Sequence, residues 1–133
     1  MSFKPVIILS QELPLGVKAN FAAVLGMSLG HLRPDLIGAE TPTYDGVCLP
    51  GITNTALPIL GAPADDLPAL FFAAEDLPVR LAYMRDAFEA KDYDDYTARI
   101  ASRPISDHAP QAILLGGPRK KVDRICGRLP LLR

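Results

Sequence analysis

The chain has 133 residues, of which 49% are hydrophobic and 22% are charged, and its formal net charge is −1. This size and composition are typical of one globular domain, so we predict a single domain over residues 1–133. A protein built to coat nucleic acid carries a clear positive excess, and we therefore expect weak nucleic-acid binding at most.

The first half of the chain predicts a strand, a helix, a hairpin and a second strand. Residues 5–10 form a continuous apolar run, which is typical of a strand buried on both faces. Apolar residues at helical spacing predict a helix over residues 17–29, and its small residues would let it lie flat on a sheet. The pair Asp45-Gly46 predicts a hairpin turn, and residues 56–60 predict a second core strand.

The second half continues the alternation of helices and strands. The spacing of apolar residues predicts a helix over residues 66–74, with Asp65 or Asp66 as its cap. Residues 78–84 predict a third strand, and Asp92 is a candidate cap for the helix that follows it. This order predicts an α/β fold, a single three-layer domain with a mixed sheet of about four strands.

The C-terminal segment predicts a strand, a turn and an amphipathic helix. Residues 112–115 form an apolar run that indicates a buried strand, and residues 116–118, Gly-Gly-Pro, predict a turn. Apolar side chains then recur at helical spacing from Val122 to Leu129. Basic side chains lie at the start and along one side of this helix: Arg119, Lys120, Lys121, Arg124 and Arg128.

Three segments, in the same order, resemble the peptidyl-tRNA hydrolase II family. The first strand runs into residues 12–18, where the family has an acidic residue, a glycine and a lysine. Residues 85–87 match the Arg-Asp-Ala that ends the family's third strand. Residues 126–132 are similar to its Thr-Gly-x-Leu-x-Leu-Leu tail. The chain is similar to an uncharacterised bacterial family that looks like a divergent branch of this fold.

The resemblance implies a peptidyl-tRNA hydrolase II-like fold and a catalytic pair, Lys18 and Asp86. The lysine would stabilise an oxyanion, and the carboxylate would position or activate a water. A structural ion pair is the alternative interpretation. Residues 88–90, Phe-Glu-Ala, replace the family's Gly-Arg-Thr, and the family's Gln and His are absent from the first helix. These departures favour ligand binding over hydrolysis.

A second set of residues predicts a site for a small-molecule or phosphate-bearing ligand. Gly117 would let the backbone approach the ligand, and Arg119, Lys120 and Arg124 would bring positive charge to a helix N-terminus. Asn20 would orient a bound group. Solvated charge on a helix face is the alternative for the basic residues, and capping of the preceding loop is the alternative for Asn20.

The histidines and cysteines predict neither a metal nor a cofactor. His31 and His108 have no acidic or cysteine partner at ligand spacing. Cys48 and Cys126 lie far apart, which favours reduced thiols and a cytoplasmic location. No apolar run approaches the roughly 20 residues that cross a bilayer, and the N-terminal run is too short for a secretory signal, so no membrane association is expected.

Three functional hypotheses follow from the sequence. The favoured one is a small-molecule or nucleotide-binding module with weak or lost hydrolase chemistry. The second is an active hydrolase on an ester-linked, peptidyl-tRNA-like substrate that uses Lys18 and Asp86. The third is an interaction protein that forms a homodimer through the apolar hairpin region, residues 44–58.

Overall fold

The computed structural model describes residues 2–133, and a four-stranded mixed sheet lies at their centre. The strands are β1 (Phe3–Ser10), β2 (Thr41–Pro42), β3 (Cys48–Leu49), β4 (Ile59–Ala62), β5 (Val79–Met84) and β6 (Pro110–Pro118). The order in the main sheet is β4-β1-β6-β5, in which only β1 and β4 are parallel. The strands β2 and β3 form a separate hairpin. The prediction of a mixed four-stranded sheet is confirmed.

Four α-helices cover the two faces of this sheet. They are α1 (Leu15–Leu32), α2 (Leu67–Ala73), α3 (Tyr93–Ala101) and α4 (Arg119–Cys126). Helix α1 packs Phe21, Leu25 and Leu29 against one face, together with alternate residues of β1 and β6. Helices α2 and α4 pack against the other face, where the remaining residues of both strands point. The result is three layers with a core on each side of the sheet. None of the helices in residues 2–133 is long and apolar enough to cross a bilayer.

Three local predictions from the sequence are confirmed. Asp92 caps α3, because its Oδ1 accepts a hydrogen bond from the backbone N–H of Asp95 at 2.8 Å. The hairpin turn lies at Asp45-Gly46, where Gly46 adopts a φ of 88° that favours glycine. The first helix lies on the sheet as expected, although it is longer than residues 17–29 at both ends.

The second core strand begins later than the predicted residues 56–60. Proline has no N–H to donate to a sheet, so regular pairing starts after Pro58, whose carbonyl oxygen accepts a bond from the Ile7 N–H at 3.0 Å. The strand continues through Gly61 to Ala62. Ala62 pairs with Ser10 at the end of β1.

The start of α2 also differs from its prediction. A 3₁₀ turn, Ala64–Asp66, leads into the helix, and Asp66 has helical backbone angles rather than the extended ones of a usual N-cap. Asp66 occupies the N-cap position, as one of the two predicted caps, but its side chain forms no capping bond. The carboxylate of Glu12 instead accepts from the Ala64 N–H at 3.1 Å.

Residues 116–118 do not form the predicted turn. They continue β6, with Gly116 opposite Pro5 and Gly117 opposite Lys4. A Cβ atom on Gly116 would overlap the Phe3 ring, and one on Gly117 would lie 3.0 Å from Leu77 and Pro78. The two glycines are therefore needed for close packing within a strand, which composition alone does not distinguish from a turn.

Residues 37–55, called the arm below, form a loop whose two ends are joined by close backbone contacts. Gly38 N–H donates to the Ile52 carbonyl at 2.6 Å, and Asn54 N–H donates to the Leu36 carbonyl at 2.8 Å. A Cβ atom on Gly51 would overlap the carbonyl group of Gly38. This approach of two backbone segments requires glycine.

Replacing Gly51 with alanine should therefore loosen the arm and destabilise the protein by about 1–3 kcal/mol, because backbone atoms must move to admit the methyl group. Hydrogen exchange should show faster exchange at the amides of Gly38 and Asn54. The control is Gly16→Ala, because its added methyl group meets no atom within 4 Å. This variant should leave the exchange rates of the two amides unchanged. Unchanged exchange in Gly51→Ala would contradict the proposed contact.

Candidate functional site

A buried carboxylate lies where β5 ends. Asp86 belongs to a 3₁₀ helix, Arg85–Phe88, and its side chain is 7% exposed. A charge removed from water needs partners, and Asp86 has two. The Arg103 guanidinium donates to Oδ2 at 2.5 Å, and His108 Nδ1 lies 3.2 Å from Oδ1.

The His108 ring joins three segments at this point. It is 1% exposed, so it is inaccessible to a substrate. Its Nε2 lies 2.9 Å from the Ile100 carbonyl oxygen and 3.2 Å from that of Arg103, while its Nδ1 faces Asp86. The Arg103 guanidinium lies 3.5 Å from the same Nδ1, so polar groups surround both ring nitrogens and hold the ring in place. The histidine positions Asp86 and the end of α3.

Backbone contacts bring the segment after α3 to the end of β5. The Arg85 N–H donates to the Ala109 carbonyl oxygen at 2.8 Å. The register of β5 on β6 shifts between Tyr83 and Met84, and the Met84 N–H donates to the Tyr96 hydroxyl at 2.9 Å. The Tyr96 side chain of α3 thereby accepts a backbone hydrogen bond at the point where the regular pairing of β5 with β6 is interrupted.

Two opposing effects determine the pKa of Asp86. Burial, the largest, raises it because the charged form loses water. The hydrogen bond with His108 and the charge and hydrogen bond of Arg103 favour the carboxylate and together outweigh burial. The pKa of Asp86 therefore lies below its ordinary value, and the group is a carboxylate at neutral pH.

A cleft of about 200 Å³, called the Asp86 cleft below, opens beside this carboxylate. Its lining consists of Arg85, Asp86, Glu89, Arg103, Asp107 and Ala109. Glu89 is paired with Arg99 at 3.3 Å, and Asp86 is paired as described. Within residues 2–133, the Arg85 and Asp107 side chains form no hydrogen bond or ion pair with the protein. The cleft therefore presents one guanidinium and one carboxylate to a ligand.

The predicted catalytic pair is not in contact. Lys18 lies half-buried on α1, and no hydrogen bond or ion pair in the described chain joins it to Asp86. The alternative of an Asp86–Lys18 ion pair is also absent there, because Arg103 and His108 occupy the carboxylate. A catalytic role for Lys18 and Asp86 stays a prediction.

The predicted binding residues are spread over several surfaces. Gly117 is buried in β6 and lines a shallow cleft with Phe3 and Pro78, and Asn20 is exposed on α1. The predicted basic residues Arg119, Lys120 and Arg124 are exposed on α4. Arg124 lines a groove of about 600 Å³ between α2 and α4. Their role in ligand binding stays a prediction.

Arg103 and His108 are the site residues that the sequence analysis missed. They follow Asp86 by 17 and 22 residues, a separation set by the course of α3 and the loop after it. One sign of this site is present in the sequence, the isolated His108 just before the apolar strand β6. Within residues 2–133, no group of three or more His, Cys, Asp or Glu residues is arranged to hold a metal ion.

Comparison with known proteins identifies the family. The model of a family described as "Protein of unknown function (DUF2000)" matches residues 3–133. The chain belongs to the DUF2000 family. A search of the curated proteins found no match.

A solved structure has the same fold as this DUF2000 protein. It is a protein of unknown function, Atu0240 from Agrobacterium tumefaciens strain C58, with a TM-score of 0.90 and 16% sequence identity. The match covers 100% of this chain and 99% of that one. At this identity the likeness shows the fold alone. The prediction of an uncharacterised α/β family is confirmed, and the resemblance to peptidyl-tRNA hydrolase II stays a prediction.

The lowered pKa of Asp86 predicts how acid destabilises this DUF2000 protein. A carboxyl group with a lowered pKa contributes stability that is complete above the unfolded-state value of about 3.9. That contribution decreases as the pH falls from there through the folded-state value. Asp86→Asn should lose about 2 kcal/mol at pH 7 and show a flatter dependence of stability on pH below about 5.

Urea denaturation at a series of pH values measures this effect. The control is Asp35→Asn, because Asp35 also has a pKa lowered by hydrogen bonding to an arginine, Arg33, but is exposed. Screening by water makes that surface pair weak, so this variant should keep most of the acid dependence. Equal pH profiles for the wild type and Asp86→Asn would contradict the role given to Asp86.

Proposed function

We propose that this DUF2000 protein binds a small zwitterionic metabolite, such as a free amino acid, in the Asp86 cleft. The observation that carries this proposal is the charge pattern of the lining. The side chains of Arg85 and Asp107 have no partner in the described chain. The other charged side chains of the lining, Asp86, Glu89 and Arg103, are paired within the protein. A guanidinium matches the geometry of a carboxylate, and an aspartate accepts hydrogen bonds from an ammonium group.

The size and rigidity of the cleft support a small ligand. Its volume of about 200 Å³ lies below the roughly 300–1,000 Å³ of pockets that hold drug-sized molecules. Arg103 is fixed by its bond to Asp86 and by a second bond, at 3.3 Å, to the Asp107 carbonyl oxygen. A wall that is ordered before the ligand arrives lowers the entropic cost of binding.

Binding fits the site better than hydrolysis. A general base is most effective when its pKa lies near the working pH, but the pKa of Asp86 is lowered and its oxygens are occupied. His108 is buried, and Lys18 has no bond to Asp86 in the described chain. These observations favour the binding module over a peptidyl-tRNA hydrolase II-like enzyme. A phosphate-bearing ligand on α4 is the alternative that the test below separates.

Titration calorimetry with the amino acids as a panel tests the proposed ligand class. An amino acid that binds should do so more tightly than the matched carboxylic acid without the amine and the matched amine without the carboxylate. Arg85→Gln and Asp107→Asn should each weaken binding at least about tenfold, because each removes a charge-assisted hydrogen bond. Both side chains are exposed, so these variants should fold normally.

The control for these variants is Arg119→Gln, which removes an exposed arginine on α4 and should leave amino-acid binding unchanged. Two results would overturn the proposal. One is the absence of binding by every zwitterion in the panel, and the other is a preference for inorganic phosphate that Arg119→Gln abolishes.

A second candidate function is self-association through the arm. Large apolar side chains are at least half exposed there: Tyr44 at 108%, Val47 at 54%, Leu49 at 50% and Ile52 at 81%. Apolar side chains concentrated on one projection indicate an interaction surface. A second copy of the chain is the proposed occupant, since a twofold axis would bring identical patches together.

Light scattering coupled to size exclusion should show a dimer that Ile52→Asp dissociates. A buried aspartate at the interface would lose its water without gaining a partner. The control is Leu15→Asp, which changes an equally exposed apolar residue outside the arm, at 82%, and should remain dimeric. A monomeric wild type at high micromolar concentration would reject this function.

A further inference from the structure

A second cavity lies on the other side of the segment that carries Asp86. It has a volume of about 150 Å³ and is called the tyrosine pocket below. Its lining consists of Tyr83, Ala87, Ala90, Asp92, Tyr93 and Tyr96. Asp86 and Glu89 line the Asp86 cleft, whereas Ala87 and Ala90 face this pocket. The two cavities share no lining residue, so an inference about one does not rest on the other.

Two of the three tyrosine rings are held in place by the protein. The Tyr83 ring stacks on Phe21, with centroids 4.4 Å apart and planes at 29°. It also meets Tyr96 edge to face at 5.3 Å and 76°. The Tyr96 hydroxyl accepts the hydrogen bond from the Met84 N–H. The aromatic walls are thus fixed before any ligand enters.

Tyr83 and Tyr96 remain neutral at physiological pH. Burial, followed by the nearby Tyr93 hydroxyl, raises the pKa of Tyr83 to about 12. Burial also raises the pKa of Tyr96, although the hydrogen bond from Met84 opposes it. The pocket therefore contains neutral rings, whose faces carry partial negative charge.

Asp92 is the one charged side chain in the lining. Its Oδ1 caps α3, and its Oδ2 forms no hydrogen bond within residues 2–133. Arg99, which lies on α3 itself, is paired with Asp95 and Glu89 and does not line the pocket. The lining thus carries three aromatic rings and one negative charge, without a cation.

We propose that the tyrosine pocket binds an organic cation of the methylated ammonium class. Such a cation is attracted to aromatic faces, and its methyl groups favour an apolar wall over water. Asp92 adds a negative charge to the lining, which favours a cationic ligand over a neutral aromatic one. The small side chains of Ala87 and Ala90 leave room for the cation head group.

Choline and its neutral tert-butyl isostere, dimethylbutanol, are the probes that test this proposal. The two molecules have the same shape and differ in charge. Titration followed by NMR should show choline shifting the ring signals of Tyr83 and Tyr93 and binding at least about tenfold more tightly than the alcohol. Equal affinity for the two probes, or no shifts with choline, would overturn the proposal.

Two matched variants separate the aromatic ring from the hydroxyl group at Tyr93. This residue is 66% exposed, so its replacement should not impair folding. Tyr93→Phe keeps the ring and should bind choline nearly as the wild type does. Tyr93→Leu removes the ring and should weaken binding about fivefold. Equal binding by Tyr93→Leu and Tyr93→Phe would show that the π face plays no part.

A third variant tests the carboxylate. Asn is as good an N-cap as Asp, so Asp92→Asn removes the charge while α3 keeps its cap. Choline should bind several-fold more weakly to this variant, and the difference should shrink as salt screens the charge. The control is Asp94→Asn, which changes a neighbouring exposed carboxylate that does not line the pocket. The same loss in both variants would reject a specific role for Asp92.

Discussion

The rest of the structure depends on the burial of β1 and β6 on both faces. Residues 6–9 and 112–115 are each at most 1% exposed. Strands with apolar side chains on both faces must be covered on both sides, which places α1 on one side and α2 and α4 on the other. The strand β5 then lies at the edge of the sheet, and the chain leaving it has room for polar side chains.

The segment after β5 separates two cavities of different character, the Asp86 cleft and the tyrosine pocket. On one side a desolvated carboxylate is stabilised by a guanidinium and an imidazole, and charged groups surround the opening. On the other side stacked rings leave an aromatic recess with a single carboxylate. The short helix that carries Asp86 forms the wall between them. An ionic and an aromatic cavity on opposite sides of one turn support the proposal that this protein recognises small polar molecules.

Patterns of local origin were predictable from the sequence, whereas contacts between distant segments were not. The apolar runs of β1 and β6, the Asp92 cap and the Asp45-Gly46 turn each depend on a few adjacent residues. The role of residues 116–118 depends instead on Phe3 and Leu77, which pack against the glycines from far along the chain. The partners of Asp86 were missed for the same reason. A buried ion pair between loops leaves no periodic signal.

The pairing of β1 with β6 also has a consequence for how the protein folds as it is synthesised. Phe3 lies opposite Pro118 and Val6 opposite Leu115, so the central ladder joins segments more than 100 residues apart in the sequence. Bringing such distant segments together costs loop-closure entropy before the contact stabilises anything. During synthesis β1 can pair with β4 once residues 59–62 are available, but its other edge must wait for residues 110–118. During that interval the unpaired edge and the apolar side chains of β1 are open to misfolding and aggregation.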